Sequence, residues 1–144
     1  MPVPNLTGAR RVVAHHGWCL VFAFAFLPLR TNAQSPREIG RTAANNPVLV
    51  EPRSVRRDGT QLHATIRVKF AKAVRAPGGD WWSSRTRLTF DCSNRTVKVL
   101  ENWYYADTSW TRVASHSRSG LPGFGTVMGG SMTSVGYDTL CPTR

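Results

Sequence analysis

Leu62-His63-Ala64-Thr65-Ile66-Arg67-Val68-Lys69-Phe70 is the stretch that decides the fold. Successive side chains of a strand point to opposite sides, so Leu62, Ala64, Ile66, Val68 and Phe70 share one face and His63, Thr65, Arg67 and Lys69 the other. A strand with one apolar and one polar face belongs to an antiparallel sheet packed on one side only, its second face wet and basic. Upstream, Arg57-Asp58-Gly59-Thr60 carries the Asp-Gly signal of a tight hairpin, whose central residues need positive φ. A short strand at Val48-Leu49-Val50 stops at Pro52, and a brief apolar touch at Ser54-Val55 leads into the hairpin.

Downstream, Pro77-Gly78-Gly79 breaks the alternation and places Asp80-Trp81-Trp82 in a loop. Thr86, Leu88, Phe90 and Cys92 then alternate inward, with Arg85, Arg87, Thr89 and Asp91 outward. Ser93-Asn94-Arg95 turns the chain into a strand over Thr96–Tyr105, and a further strand is expected near Trp110–Ser115. Strands joined by short turns predict a meander. After the glycine-rich stretch Gly120–Gly130, Ser131 is placed to cap a helix over Met132–Leu140, with Met132, Val135 and Leu140 near one side. Gly136 and Thr139 weaken that helix by propensity. The expected class is α+β: a single antiparallel sheet packed by a short C-terminal helix.

The first 33 residues read as a cleavable signal peptide. Arg10 and Arg11 give a basic start, and Gly17–Leu29 gives an apolar core of 13 residues. That core is too short to span a bilayer as a helix. Thr31-Asn32-Ala33 supplies small residues before a cut ahead of Gln34. Residues 34–47 are polar, with prolines near both ends, and read as a flexible leader. Residues 48–144 form the folded domain. Gln34, not cysteine, follows the cut, so the product is expected to be periplasmic or secreted and not lipid-anchored. No later segment is apolar enough for a transmembrane span.

Charge narrows the partner. The chain has 19 Lys+Arg against 8 Asp+Glu, a net of +11. Removing Arg10, Arg11 and Arg30 with the signal leaves 16 bases against the same 8 acids over 111 residues. A surface so basic draws anionic macromolecules or acidic proteins by its long-range field. Loss of Cys19 with the signal leaves Cys92 and Cys141, an even pair in an oxidising compartment, and a bridge between them is expected. A reactive thiol would need an activating base, and His63 and His116 are both distant in sequence.

Catalytic patterns are absent. Gly129-Gly130-Ser131-Met132-Thr133 lacks the second glycine of a nucleophile elbow. Gly123-Phe124-Gly125 is followed by Gly129, one place late for a dinucleotide fingerprint. Two cysteines and two histidines without close spacing make no zinc site. Asp91, Glu101 and Asp107 read as salt-bridge or turn residues. The sequence therefore points to no enzyme, no metal and no cofactor.

Four segments occur together in one known family. They are Val-Glu-Pro-Arg-Ser-Val (50–55), Leu-Thr-Phe-Asp-Cys-Ser-Asn-Arg-Thr-Val (88–97), Asn-Trp-Tyr-Tyr-Ala-Asp (102–107), and Gly-Gly-Ser (129–131) heading a helix that closes on Leu-Cys (140–141). In these the chain, from about Val48 to Cys141, resembles the bacterial surface-adhesin protein E-like family. The resemblance implies an antiparallel sheet, a C-terminal helix, a disulfide like that inferred above, and a non-enzymatic envelope protein. Named adhesins of the family bind host matrix and serum proteins, and no ligand-binding motif carries over to particular residues here.

The candidate binding surface is Arg67, Lys69, Arg85 and Arg87 on the wet face, with Trp81 and Trp82, since tryptophan and arginine dominate binding hot spots. Trp103 and Trp110 stand nearby, and Trp103 and Tyr105 are expected mainly in the core. The leading expectation is an exported, adhesin-like protein binding anionic or host-type macromolecules. The alternative is a periplasmic accessory protein of the envelope without a host ligand. A basic sheet with aromatics can also hold single-stranded nucleic acid, but a signal peptide argues against that as the natural ligand.

Overall fold

The structure, a computed structural model, describes residues 34–120 and 123–141. The expected signal peptide, residues 1–33, lies outside them. In chain order the elements are β1 (Arg37–Arg41), β2 (Pro47–Val50), a 3-10 turn (Pro52–Ser54), β3 (Arg56–Asp58), β4 (Gln61–Ala76), β5 (Gly79–Asp91), β6 (Thr96–Tyr105), β7 (Val113–Arg118), β8 (Gly125–Thr126) and α1 (Met132–Leu140). They form one antiparallel sheet in the order β1-β2-β4-β5-β6-β7. The short β3 adds to β4 beside β2, and β8 adds to β6 beside β7.

The alternation of Leu62–Phe70 does what its period requires. Leu62, Ala64, Ile66 and Val68 are buried, joined from the neighbouring strands by Val48, Val50, Leu88 and Phe90. α1 lies over this inner face. Its start is capped as expected, with the Ser131 hydroxyl accepting from Ser134 N. Met132, Val135 and Leu140 pack against the core, and the Tyr137 ring meets Phe90 edge-on at 6.0 Å while its hydroxyl donates to Cys92 O at 2.7 Å. The Cys92–Cys141 disulfide, Cα–Cα 5.4 Å, ties the end of the helix to the end of β5.

Gly136 turns a weak helix residue into a contact. A Cβ there would stand 2.5 Å from Ile66 Cδ1 and 2.9 Å from Phe90 Cζ, both side chains fully buried. The missing side chain is what lets the helix lie this close to the sheet.

Four sequence expectations are corrected. The leader does not extend through Arg37–Arg41, which pair with β2 as an edge strand, Ile39 packing on the core. One isoleucine among polar residues is too weak a signal to reveal a strand whose stability comes from its neighbour. Trp81 and Trp82 are not in a loop: β4 and β5 continue as a twisted ribbon until Ala76 faces Gly79 across Pro77-Gly78. Trp110 precedes β7 and does not begin it; its φ of +58° belongs to a turn. The hairpin centres on Gly59-Thr60, Asp58 facing Gln61, so only Gly59 (φ +56°) takes the left-handed backbone that glycine supplies cheaply.

Candidate functional site: the outer face of the sheet

Opposite α1, register sets side chains in rows across the strands. One row runs Arg67 on β4, Arg85 on β5, Trp103 on β6 and His116 on β7. Directly opposed residues of an antiparallel pair share a face and touch. Accordingly the Arg85 guanidinium lies 5.1 Å from the Trp103 ring, which stacks on His116 at 4.9 Å with 7° between planes. Arg67 and Lys69 both lie 5.0 Å from the ring of Trp110. The face thus interleaves cations with aromatic rings, which attract them through the ring quadrupole.

Two carboxylates hold this lattice. Glu51, just after β2, accepts from Arg67 Nε at 2.6 Å and from Arg85 Nε and Nη2 at 2.7 and 3.0 Å. Burial pushes its pKa up, but the hydrogen bonds from Arg85 and Arg67 outweigh that and hold the carboxyl below its ordinary range. The same contact pushes Arg85 further up. Glu101, 4% exposed, takes Arg118 Nε at 2.8 Å, Arg87 Nη2 at 2.9 Å and His116 Nε2 at 3.2 Å. Its pKa is likewise lowered: desolvation opposes, while the Arg118 bond, the nearby Arg87 charge and the His116 bond prevail.

Asp107 positions Trp110. Its carboxylate accepts from the backbone of Ser109, Thr111 and Arg112 at 3.0, 3.1 and 2.7 Å, and from the Ser109 and Thr111 hydroxyls. Desolvation raises its pKa, yet these bonds, the Thr111 hydroxyl foremost, drive it far below the usual carboxylate range. The loop so fastened turns the Trp110 indole over Arg67 and Lys69, its Nε1 donating to Ser84 O at 3.0 Å.

Of the expected surface, the structure brings together Arg67, Lys69, Arg85 and Arg87 on this face. It does not bring Trp81 to them: Trp81 stacks on Tyr104 at 3.9 Å, and Tyr104 pairs with Ser84 on the helix side. Trp82 stands apart, 39% exposed. The rings that do join the bases are Trp103 and Trp110. Tyr105 is in the core as expected, and Trp103 is not. Glu51, Glu101, His116 and Arg118 complete the lattice. Only their charge was visible in the sequence, because cross-strand register decides which acid meets which base. Arg56, Lys69 and Lys98 also lie on this face and have no carboxylate partner among the described residues. Among the described residues no group of three or more His, Cys, Asp or Glu could hold a metal, and no helix is long and apolar enough to cross a membrane.

Comparison with known proteins gives a family and a fold. The family model described as surface-adhesin protein E matches residues 37–141, a span that includes β1. Crystal form II of protein E from Haemophilus influenzae has a similar structure, with a TM-score of 0.51 and 13% sequence identity, covering 75% of this chain and 87% of that one. The comparison with curated proteins returns no match.

Proposed function

Because this chain belongs to the surface-adhesin protein E family, we propose that it is an exported, adhesin-like binding protein. In this reading its outer face engages an anionic macromolecule of the host type. The observation that carries the reading is the row Arg67–Arg85–Trp103–His116 with Trp110 laid over its end. Glu51 and Glu101 fix the guanidinium groups and cancel part of their charge. The arginines therefore act as a rigid, aromatic-backed floor, while Lys69, Lys98 and Arg56 supply the free charge. Preorganised side chains lose less entropy on binding than mobile ones. No step of this role requires catalysis or a cofactor.

Immobilised heparin is a suitable first probe. The purified protein should be retained at about 0.05 M NaCl and released by about 0.5 M, because exposed charges are screened beyond a Debye length. A Lys69→Glu/Lys98→Glu variant, which breaks no ion pair of the lattice, should elute much earlier. Equal retention of variant and parent, or indifference to salt, overturns the outer-face reading. Export is tested separately by fractionation with mass spectrometry of the mature N-terminus. A chain cut before Gln34 and found in the medium or on the cell face supports adhesion. Recovery from the periplasm alone favours the accessory role, and an uncut chain in the cytosol refutes export.

A further inference from the structure

The inner face holds a second feature, unrelated to the outer-face charges. α1 covers β1, β2 and the first half of β4. Beside its N-terminal end a cavity of about 190 Å³ remains, open on one side, with Phe70, Tyr104 and Met132 among its walls. Five polar residues also line it: Thr42, whose hydroxyl already accepts from Asn46 N at 3.2 Å, and Asn46, Ser84, Asn102 and Tyr104.

Their hydrogen bonding is unfinished. The Ser84 hydroxyl has no hydrogen-bond partner among the described residues, and since no buried side-chain oxygen or nitrogen among them lacks one, it is a group that a molecule in the cavity can reach; the Ser84 carbonyl is used by Trp110. The Asn46 carboxamide oxygen accepts from Ala71 N at 2.8 Å, and that of Asn102 accepts from the Thr86 hydroxyl at 2.7 Å. With both oxygens committed, both amide NH2 groups are left to donate. The Tyr104 hydroxyl is also without a partner among the described residues. Behind Tyr104 the Trp81 ring stacks at 3.9 Å, which stiffens the aromatic wall.

The cavity thus offers hydrogen-bond donors, a flat aromatic ring and no formal charge. Its volume is that of about six waters, well below the room a drug-sized ligand needs. We infer that this cavity is a binding site for one neutral sugar ring, a terminal or branching unit of a glycan. A pyranose has the required chemistry. Ring and hydroxyl oxygens accept from the amide and hydroxyl donors, one apolar C–H face lies against Tyr104, and nothing on it needs a counter-charge. The inner site and the charged outer face would then read different features of a glycosylated partner.

A glycan array probed with the purified full chain tests this, followed by titration calorimetry with the strongest neutral oligosaccharide. Binding should persist at about 0.5 M NaCl, where exposed charges are screened. It should be unchanged by Lys69→Glu/Lys98→Glu. The Ser84→Ala/Tyr104→Phe variant removes two donors with almost no change in shape, and should bind on the order of tenfold or more weakly. Tryptophan fluorescence should respond to the ligand through Trp81, and far-UV circular dichroism should confirm that the variant folds. Absence of any neutral-glycan signal from the folded parent overturns the inference. So does equal affinity of the double variant, or retention of acidic glycans alone, lost with salt. The last result would leave the outer-face reading standing by itself.

Discussion

Replacing Gly136 with alanine sets two physical effects against each other at one atom. In an ordinary helix interior the change would stabilise by about 1 kcal/mol, since glycine has the poorest propensity of any residue but proline. Here the added Cβ would meet Ile66 Cδ1 at 2.5 Å and Phe90 Cζ at 2.9 Å. Neither side chain has free space, and forcing a methyl into a packed core costs about 1–3 kcal/mol. The helix cannot simply lift away, because the Cys92–Cys141 bridge and the Tyr137 hydroxyl bond fix its end. The net expectation is a loss of about 1 kcal/mol, a fall of roughly 4–8 °C in Tm for a domain of this size. The partner change Ile66→Val removes the closest clashing methyl and by itself costs about 0.5–1.5 kcal/mol. Combined, the two should cost less than their sum by about 0.5 kcal/mol or more. The assay is urea denaturation of the oxidised protein, followed by fluorescence, for all four members of the cycle. An alanine variant more stable than the parent, or a strictly additive cycle, would refute the claim that close approach is why glycine stands there.

Three further outcomes follow from the same contacts. Glu51→Gln removes the anchor of two arginines and should cost about 2 kcal/mol near neutral pH, between the values for exposed and buried pairs. Although burial raises it, the Arg85 and Arg67 bonds hold the Glu51 carboxyl below its ordinary range in the fold, so its contribution is full above the unfolded-state carboxylate range and is lost as pH falls through the lowered value; the gap between parent and variant in denaturation curves should narrow on acidification, and a constant gap would contradict this. Cys92→Ser/Cys141→Ser opens a loop spanning a sequence separation of 49 and should lower stability by about 4 kcal/mol in the chain-entropy model, measured by chemical denaturation. Asp107→Ala should release the loop that holds Trp110: the indole N–H should exchange faster by NMR, heparin retention should weaken, and the far-UV spectrum should stay as it was.

The outer face also shows why a count of charges misjudges a surface. Arg67, Arg85, Arg87 and Arg118 look like free cations in the sequence, yet each meets Glu51 or Glu101 at hydrogen-bonding distance. Lys98 and Arg56, which nothing in the sequence distinguishes from the rest, are left without a carboxylate among the described residues.

What the sequence determined by itself was everything carried by near neighbours along the chain. The alternation of Leu62–Phe70 and of Arg85–Cys92 settled the strands and their buried faces, Ser131 marked the start of a helix that runs Met132–Leu140, and Cys92 and Cys141 pointed to their bridge. Only the tertiary structure decided the rest. β1 exists because β2 completes its hydrogen bonds, not because Arg37–Arg41 favour a strand. Trp103 belongs to the outer lattice, and Trp81 to the inner wall, because register and the irregular pairing between Lys69 and Val74 place them there. Gly136 reads as a flaw in a helix until the sheet beneath it is known. The physical reason is common to all three: side-chain period and capping are short-range, whereas which acid meets which base, which ring stacks on which, and how near two elements lie depend on residues tens of positions apart.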